Sequence, residues 1–342
     1  MKLSEYESVG RTFIIAEIAQ AHDGSLGILH SMVDAAASAG VDAVKFQVHI
    51  AEAESSALEP FRVRFSPVDA TRFDYWKRME LSLEQWADLK RRCEAAGVEF
   101  LATPFSNAAV DLLESIGVRR YKVGSGDLAN PVLLERLART GKEVILSTGL
   151  GALEEIDAAV AFMREREVPV AVLQCTTKYP TAAVDIGLSW LSRLRERYGC
   201  PVGLSDHSGT IYSPLGAAAL GAVILEAHIT FDRRMFGPDA KASLTVDEFA
   251  ELVKGTRFLE AARGGGPDKV IDESKGELRR MFGKALAVNR DMQAGEILRF
   301  EDLEGKKPTD GGLPVAKMAE VIGAKLGRAK KRWDFLTPDD LA

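Results

Sequence analysis

The chain is poor in cysteine. Its 342 residues hold three, Cys93, Cys175 and Cys200, and none forms a CxxC pair. That excludes a disulfide framework and a cysteine-built zinc site, and it fits a reducing, cytoplasmic setting. Cys175 sits in a strand-like run and reads as a small buried hydrophobe. Long apolar runs are also missing. The most apolar stretch, VILSTGLGALEEI, breaks on Gly and Glu well short of the ~20 residues that cross a bilayer. The opening MKLSEYESVG has no apolar h-region, so no signal peptide is expected. Positive charge is not in excess either. The net charge of −6 gives no reason to expect nucleic acid or an acidic membrane as partner. No GxGxxG follows the first or second strand-like run, which counts against an open dinucleotide-binding sheet.

What is present is a regular alternation. Short apolar runs occur at 13–18, 43–48, 99–105, 121–125, 143–148, 170–176, 201–207 and 223–230. Longer amphipathic segments lie between them, for example 29–40, 83–97, 107–117 and 246–262. Several stop on glycine, at Gly40, Gly97 and Gly117, as helices do. Strands alternating with helices imply parallel pairing. Eight such units ending near residue 262 match the ~250 residues of a (β/α)8 TIM barrel. An open doubly wound sheet is the second choice. We therefore expect a catalytic barrel over 1–262, a Gly-rich, charged linker over 263–280 and a small domain over 281–342. The basic run LGRAKKR (326–332) reads as a solvated face.

Barrel enzymes work at the C-terminal ends of their strands. Here nearly every strand ends on a reactive side chain: Glu17; Lys45 and Gln47; Thr103; Lys122 and Ser125, then Asp127; Ser147; Tyr179 beyond the sixth run; Ser205 to His207; Glu226 and His228. The last pair stands out in the otherwise apolar ILEAHIT, where residues two apart share a face. A single strand histidine is usually a satisfied core residue, but eight coincidences at one end are hard to dismiss. Two of the five histidines end adjacent strands. With Glu226 and Asp206 nearby they make a plausible divalent-metal site. Two lysines with several hydroxyls suit a phosphate and a carboxylate. Residue types alone thus reach a lyase or transferase that binds a small phosphorylated acid beside a metal.

The motifs IAEIAQAHDGSL, GVDAVKFQ, TPF, YKVGSGD, STG, QCTTKYP, GLSDHS, EAHIT and GPDAKASL, in that order, resemble the sialic acid synthase family. The resemblance covers nearly the whole chain. It extends to AVNRDMQAGEILRFEDL and VIGAKL, which resemble that family's small antifreeze-like (β-clip type) domain. It implies condensation of phosphoenolpyruvate with an N-acylated mannosamine-type aldose, with release of phosphate. It implies phosphoenolpyruvate contacts at Lys45, Thr103, Lys122, Ser125, Ser147 and Ser205. Sugar contacts fall on Glu17, Gln47, Phe105, Tyr179 and Asp239, and a proton-transfer role on Asp127. Lys45, Lys122, Glu17 and Asp127 are then the catalytic group. His207 and His228 would hold a divalent metal, Mn2+ first, with Mg2+ or Co2+ as alternatives. The implied assembly is a homodimer in which one chain's small domain caps the other's barrel.

Three positions depart from the family pattern. Ala21-His22 stands where Asn-His is common, Thr177 replaces an Asn, and Lys307 replaces an Arg that binds the N-acyl group. The phosphoenolpyruvate half is thereby expected to be intact and the sugar half altered. A different acceptor aldose, a Schiff-base pyruvate aldolase using Lys122, and a non-catalytic binding protein are the other readings.

Overall fold

Eight segments rich in β-branched residues form parallel strands: β1 (Phe13–Glu17), β2 (Ala43–Val48), β3 (Glu99–Pro104), β4 (Arg120–Val123), β5 (Glu143–Ser147), β6 (Val170–Cys175), β7 (Val202–Asp206) and β8 (Ile224–Thr230). They pair in sequence order, and β1 also pairs with β8, which closes the barrel. Every predicted apolar run is therefore a strand of the (β/α)8 fold. The computed structural model describes residues 1–264 and 272–342. Two units separate by contact, Met1–Gly265 and Gly266–Ala342.

Helices fall where the amphipathic segments lie, and their ends carry the expected chemistry. Ser82 and Gln85 form a capping box at the start of Leu83–Ala95, and Thr245 and Glu248 do the same for Val246–Arg263. Gly117 ends Asn107–Ile116 with φ of 72°, a left-handed value that glycine adopts without a Cβ clash. The apolar helix faces pack on the outer faces of the strands. Leu29, Val33, Trp86, Leu89, Val110 and Leu113 are among the side chains buried there. Each fully buried large side chain contributes about 1.5–3 kcal/mol.

The inward faces are tiered. At the base, Arg120 donates to Glu99 at 2.7 Å and to Glu143 at 2.6 Å. Its third nitrogen reaches the Met1 carbonyl at 2.6 Å, and Glu143 accepts from the Leu3 N–H at 3.1 Å. The N-terminal helix Leu3–Ser8 is thus tied to the barrel floor, with Leu3 buried. Above lies an apolar tier of Phe13, Ile15, Ala43, Leu101, Ile145, Ala171, Leu173 and Ile224. The polar strand ends lie above that. At Gly203 on β7 a Cβ would stand 2.1 Å from the Ile224 carbonyl oxygen, so only glycine allows β7 to approach β8 this closely.

Residues 49–82 carry no clear period, and the sequence pattern assigns them no element. They form two short helices, Ala51–Glu54 and Arg72–Met79. Tyr75, Trp76 and Met79 make a buried cluster there, with Phe61, Phe65 and Phe73 packed against it.

In the second unit, Ala285–Val288 pairs antiparallel with Leu303–Lys306. Leu286, Val288, Met292, Leu298, Val321, Leu326 and Leu336 form its core. The expected linker over 263–280 needs correction. Residues 265–271 lie outside the described set, but Glu273–Phe282 is a helix, begun by Asp272 accepting from the Lys275 N–H. Gly276 and the dense charge of ESKGELRR hid it, because its apolar residues, Leu278, Met281 and Phe282, fall only in its second half.

Candidate active site

The strand register brings the polar ends to one level. Glu17 pairs with Lys45 on one side and His228 on the other, and Ser205 pairs with Glu226. One cavity at the C-terminal mouth is lined by Glu17, Lys45, Gln47, Thr103, Phe105, Lys122, Ser125, Ser147, Tyr179, Ser205, His207, Glu226 and His228, and a smaller one beside it by Gln20, Thr230 and Asp239 among others. Clefts also occur at the opposite end of the barrel and on its flank, but their linings hold no such convergence.

Four charged side chains at the cavity floor are each at most 5% exposed: Glu17, Lys45, Lys122 and Glu226. Buried charge of this kind persists only when paired. Lys45 meets Glu17 directly, donates to Thr103 Oγ1 at 3.2 Å and lies 3.7 Å from Glu226 Oε2. Lys122 donates to Ser147 Oγ at 2.6 Å and lies 3.8 Å from Glu226 Oε1. Ser205 donates to that same Glu226 oxygen at 2.9 Å. The two lysines titrate differently. Burial pulls Lys45 down, but Glu17 and Glu226 outweigh it and hold the ammonium above its ordinary value. Lys122 is lowered, because burial and the Lys45 charge exceed what Glu226 returns. Glu226 is kept ionised against burial by the two ammoniums.

The imidazoles of His207 and His228 stand 5.2 Å apart between ring centres, with the Tyr179 ring 4.3 Å from His207. Burial, followed by the neighbouring His228, lowers His207 to about 3, so the ring is neutral at physiological pH. Its Nδ1 is buried and accepts or donates no hydrogen bond. A neutral, buried, unpartnered imidazole nitrogen is what a divalent ion requires of a ligand, so the donor set fits the metal. The wider cluster expected from sequence does not assemble. Asp206 accepts from Ser208 Oγ at 2.7 Å and Ser213 Oγ at 2.6 Å, and Glu226 serves the lysines. No group of three or more His, Cys, Asp or Glu side chains is arranged for a metal among the described residues.

Other expected site residues are placed as follows. Ser125 and Thr177 share a hydrogen bond of 2.9 Å, so the shorter Thr fills the position by meeting a hydroxyl. Asp127 sits on the turn after β4, outside the cavity lining, and accepts from Asn130 at 2.9 Å. Its carboxyl is raised by burial and by nearby Glu54. Asp239 pairs with Arg62 at 2.7 Å, and that guanidinium lies 4.2 Å over the Tyr179 ring. His22, in the altered first loop, is buried and accepts from the Gly24 N–H at 3.1 Å. Lys307 belongs to the second unit, where its ammonium lies 5.0 Å over the Phe282 ring. Residues 49–76 supply what the sequence reading missed: His49, Glu54, Arg62 and Trp76. For His49 a signal was present, since Lys45, Gln47 and His49 continue one period-two face.

Fold and pocket together define a barrel with a charge-paired floor of lysines and carboxylates beside two imidazoles. The chain belongs to the NeuB family, whose profile matches residues 32–268. It is 33% identical to the N,N'-diacetyllegionaminic acid synthase of Campylobacter jejuni, over 92% of this chain and 95% of that one. It is 32% identical to the human N-acetylneuraminate-9-phosphate synthase, over 92% of this chain and 88% of that one. Among solved structures it resembles an N-acetylneuraminic acid (sialic acid) synthetase from Leptospira borgpetersenii in complex with citrate. The TM-score is 0.69, with 33% identity over 78% of this chain and 90% of that one. Among the described residues no helix is long and apolar enough to cross a membrane.

Proposed function

We propose that the protein condenses phosphoenolpyruvate with an N-acylated mannosamine-type aldose to a nine-carbon 2-keto-3-deoxy acid, releasing phosphate. One observation carries this reading: two buried lysines and the hydroxyls of Thr103, Ser125, Ser147 and Ser205 surround one cavity floor, beside the imidazoles of His207 and His228. The lysines would hold the phosphate and carboxylate, with the hydroxyls fixing their orientation. Binding of a trianion would take over the charge that Glu17 and Glu226 now balance.

His207 and His228 would hold the divalent ion, which when bound supplies Lewis-acid polarisation of the aldehyde. Gln47, Phe105 and Tyr179 would line the sugar side, with Asp239 at its edge. Carbon C3 of phosphoenolpyruvate bonds to the aldehyde carbon, and the aldehyde oxygen becomes a hydroxyl by taking up one proton, matched by the proton lost from the water that adds at C2; Glu17, the partner of Lys45, would relay it. Asp127, outside the lining, would exchange protons at the sugar edge. Water adds at C2, and the C2–O bond breaks to free phosphate. Lys307 would reach the sugar from the small, antifreeze-like domain of a partner chain in a homodimer. Exposed Phe300 and Trp333 give that domain an apolar surface to dock with.

The deciding experiment is phosphate release from phosphoenolpyruvate with Mn2+ across a panel of six-carbon aldoses, including diamino-dideoxy hexoses, with products weighed by mass spectrometry. A product of aldose plus pyruvate mass supports the reading. No phosphate from any aldose would sink it. The lowered pKa of Lys122 favours one rival, a Schiff-base pyruvate aldolase. Borohydride trapping of pyruvate on Lys122 would select that rival.

A further inference from the structure

His49 lies just past β2 and is held on every side. Its ring stacks on Trp76 at 3.7 Å and on Phe105 at 4.5 Å, with interplanar angles of 16° and 9°. Nδ1 lies 2.6 Å from Glu54 Oε1, and Nε2 lies 3.1 Å from Gln20 Nε2 and 3.3 Å from Gln47 Oε1. With the Gln20 amide nitrogen as the nearer partner, Nε2 acts as acceptor and Nδ1 donates to Glu54. The same Gln20 amide donates to Gln47 Oε1. With its oxygen so engaged, Gln47 turns its amide nitrogen to Glu17 Oε1 at 3.1 Å. The contacts form one continuous chain with a carboxylate at each end: Glu54, His49, Gln20, Gln47, Glu17.

We propose that His49, oriented by Glu54, is a positioning residue that fixes the amide of Gln47 and so the hydrogen-bonding pattern offered to the aldose. The proposal rests on the reading of the cavity as a phosphoenolpyruvate–aldose site. It gives the 49–76 segment a purpose. Trp76 and Glu54 clamp the imidazole, and the imidazole, through Gln20, helps hold the Gln47 oxygen toward Gln20 and its amide nitrogen toward Glu17. An amide turned the other way would present its oxygen to Glu17, a repulsive contact, so only one orientation survives. Lys45 and Lys122 touch neither His49 nor Gln20, and the chain reaches the phosphoenolpyruvate half only through the Glu17–Lys45 pair at its far end.

Two substitutions separate hydrogen bonding from packing. His49→Phe keeps the ring stack and loses both nitrogens. His49→Gln keeps one donor and one acceptor and loses the ring. For His49→Phe the aldose KM should rise about tenfold, the worth of about one hydrogen bond, while the phosphoenolpyruvate KM stays within about twofold. His49→Gln should recover most of that loss. Equal change in both KM values, or none, overturns the proposal. Should the unaltered protein turn over no aldose, the function fails separately. The positioning role is then judged by side-chain amide exchange in 15N-glutamine-labelled protein. Slow exchange at Gln20 and Gln47 that disappears in His49→Phe supports it; unchanged protection refutes it.

Discussion

Replacing Arg120 with Met tests the view that the base of the barrel serves stability and the mouth serves chemistry. Arg120 is 1% exposed, and its guanidinium answers both Glu99 and Glu143. Met fills most of the same volume, so little of the effect is cavity formation. Two carboxylates are left without their cation. Each contact is worth about 4 kcal/mol of Coulomb energy at an effective dielectric near 20, but desolvation of the charges offsets much of it. Removing one partner of a buried ion cluster costs about 3–5 kcal/mol. For a unit of this size that is a fall in melting temperature of about 8 °C or more. The pH dependence has a definite sign. Glu99 is already held above its ordinary value by burial, which Arg120 only partly counters. Without Arg120 its folded pKa rises further above the unfolded ~4.3, so the added penalty is absent below that pH and grows as pH rises. Differential scanning calorimetry of the full chain at pH 5 and pH 8 reads this directly. Limited proteolysis should also find the N-terminal helix loosened, because the Met1 carbonyl loses its donor. Phosphate release at 25 °C and pH 7.5 should stay within about twofold, since Arg120 lines no part of the cavity and stands about 7 Å along the strand from Lys122. A loss under about 1 kcal/mol, or an equal loss at both pH values, refutes the reasoning.

Four further outcomes are expected. Phosphoenolpyruvate should take up a proton on binding, because Lys122 starts from a lowered pKa and an anion raises it; affinity then weakens as pH rises, and calorimetry in buffers of different ionisation enthalpy should detect the uptake. His207→Ala should lose bound Mn2+ by elemental analysis while keeping its circular dichroism; retained stoichiometric metal would remove that histidine from the ligand set. Gly203→Ala should destabilise the barrel by about 3 kcal/mol or prevent soluble expression, since its Cβ would meet the Ile224 carbonyl at 2.1 Å; a melting temperature equal to the parent's would contradict it. In the second unit, Asp340 is buried, accepts from Lys330 at 2.6 Å and from Thr337 Oγ1 at 2.8 Å, and pairs with Arg328. Those partners depress its pKa, so its stabilisation is present above the unfolded ~3.9 and fades as pH falls; Asp340→Asn should therefore cost more at pH 7 than at pH 2 in denaturant melts.

The strands were legible because a parallel strand buried on both faces is nearly all apolar, so each polar intruder marks an inward position near the mouth. Lys45, Gln47, Lys122, Ser205, Glu226 and His228 were found that way. The two polar residues of ILEAHIT, placed together beside a metal by the sequence reading, are separated by the fold: Glu226 lies 3.7 Å and 3.8 Å from the lysines, while His228 faces His207. Arg120 was missed because RRYK looks like surface charge, and nothing local separates exposed Arg119 from its buried neighbour. His49 and Glu54 were missed for a different reason. Their meaning lies in Trp76 and Gln20, which only the fold brings together. Distant residues that meet through an aperiodic segment leave no spacing to read.

The tiered interior is an electrical partition, and it is one side chain thick. On β3 only Leu101 stands between Glu99 and Thr103, and on β5 only Ile145 between Glu143 and Ser147. Through those strands, the acceptor preference at the mouth can drift without renegotiating the floor. On β4 the insulation has a gap. Arg120 and Lys122 are successive inward residues, about 7 Å apart along the strand, with no apolar residue between them on that face. Any crosstalk between floor and mouth therefore runs along β4, and it would register first as an upward creep in the alkaline limb set by Lys122.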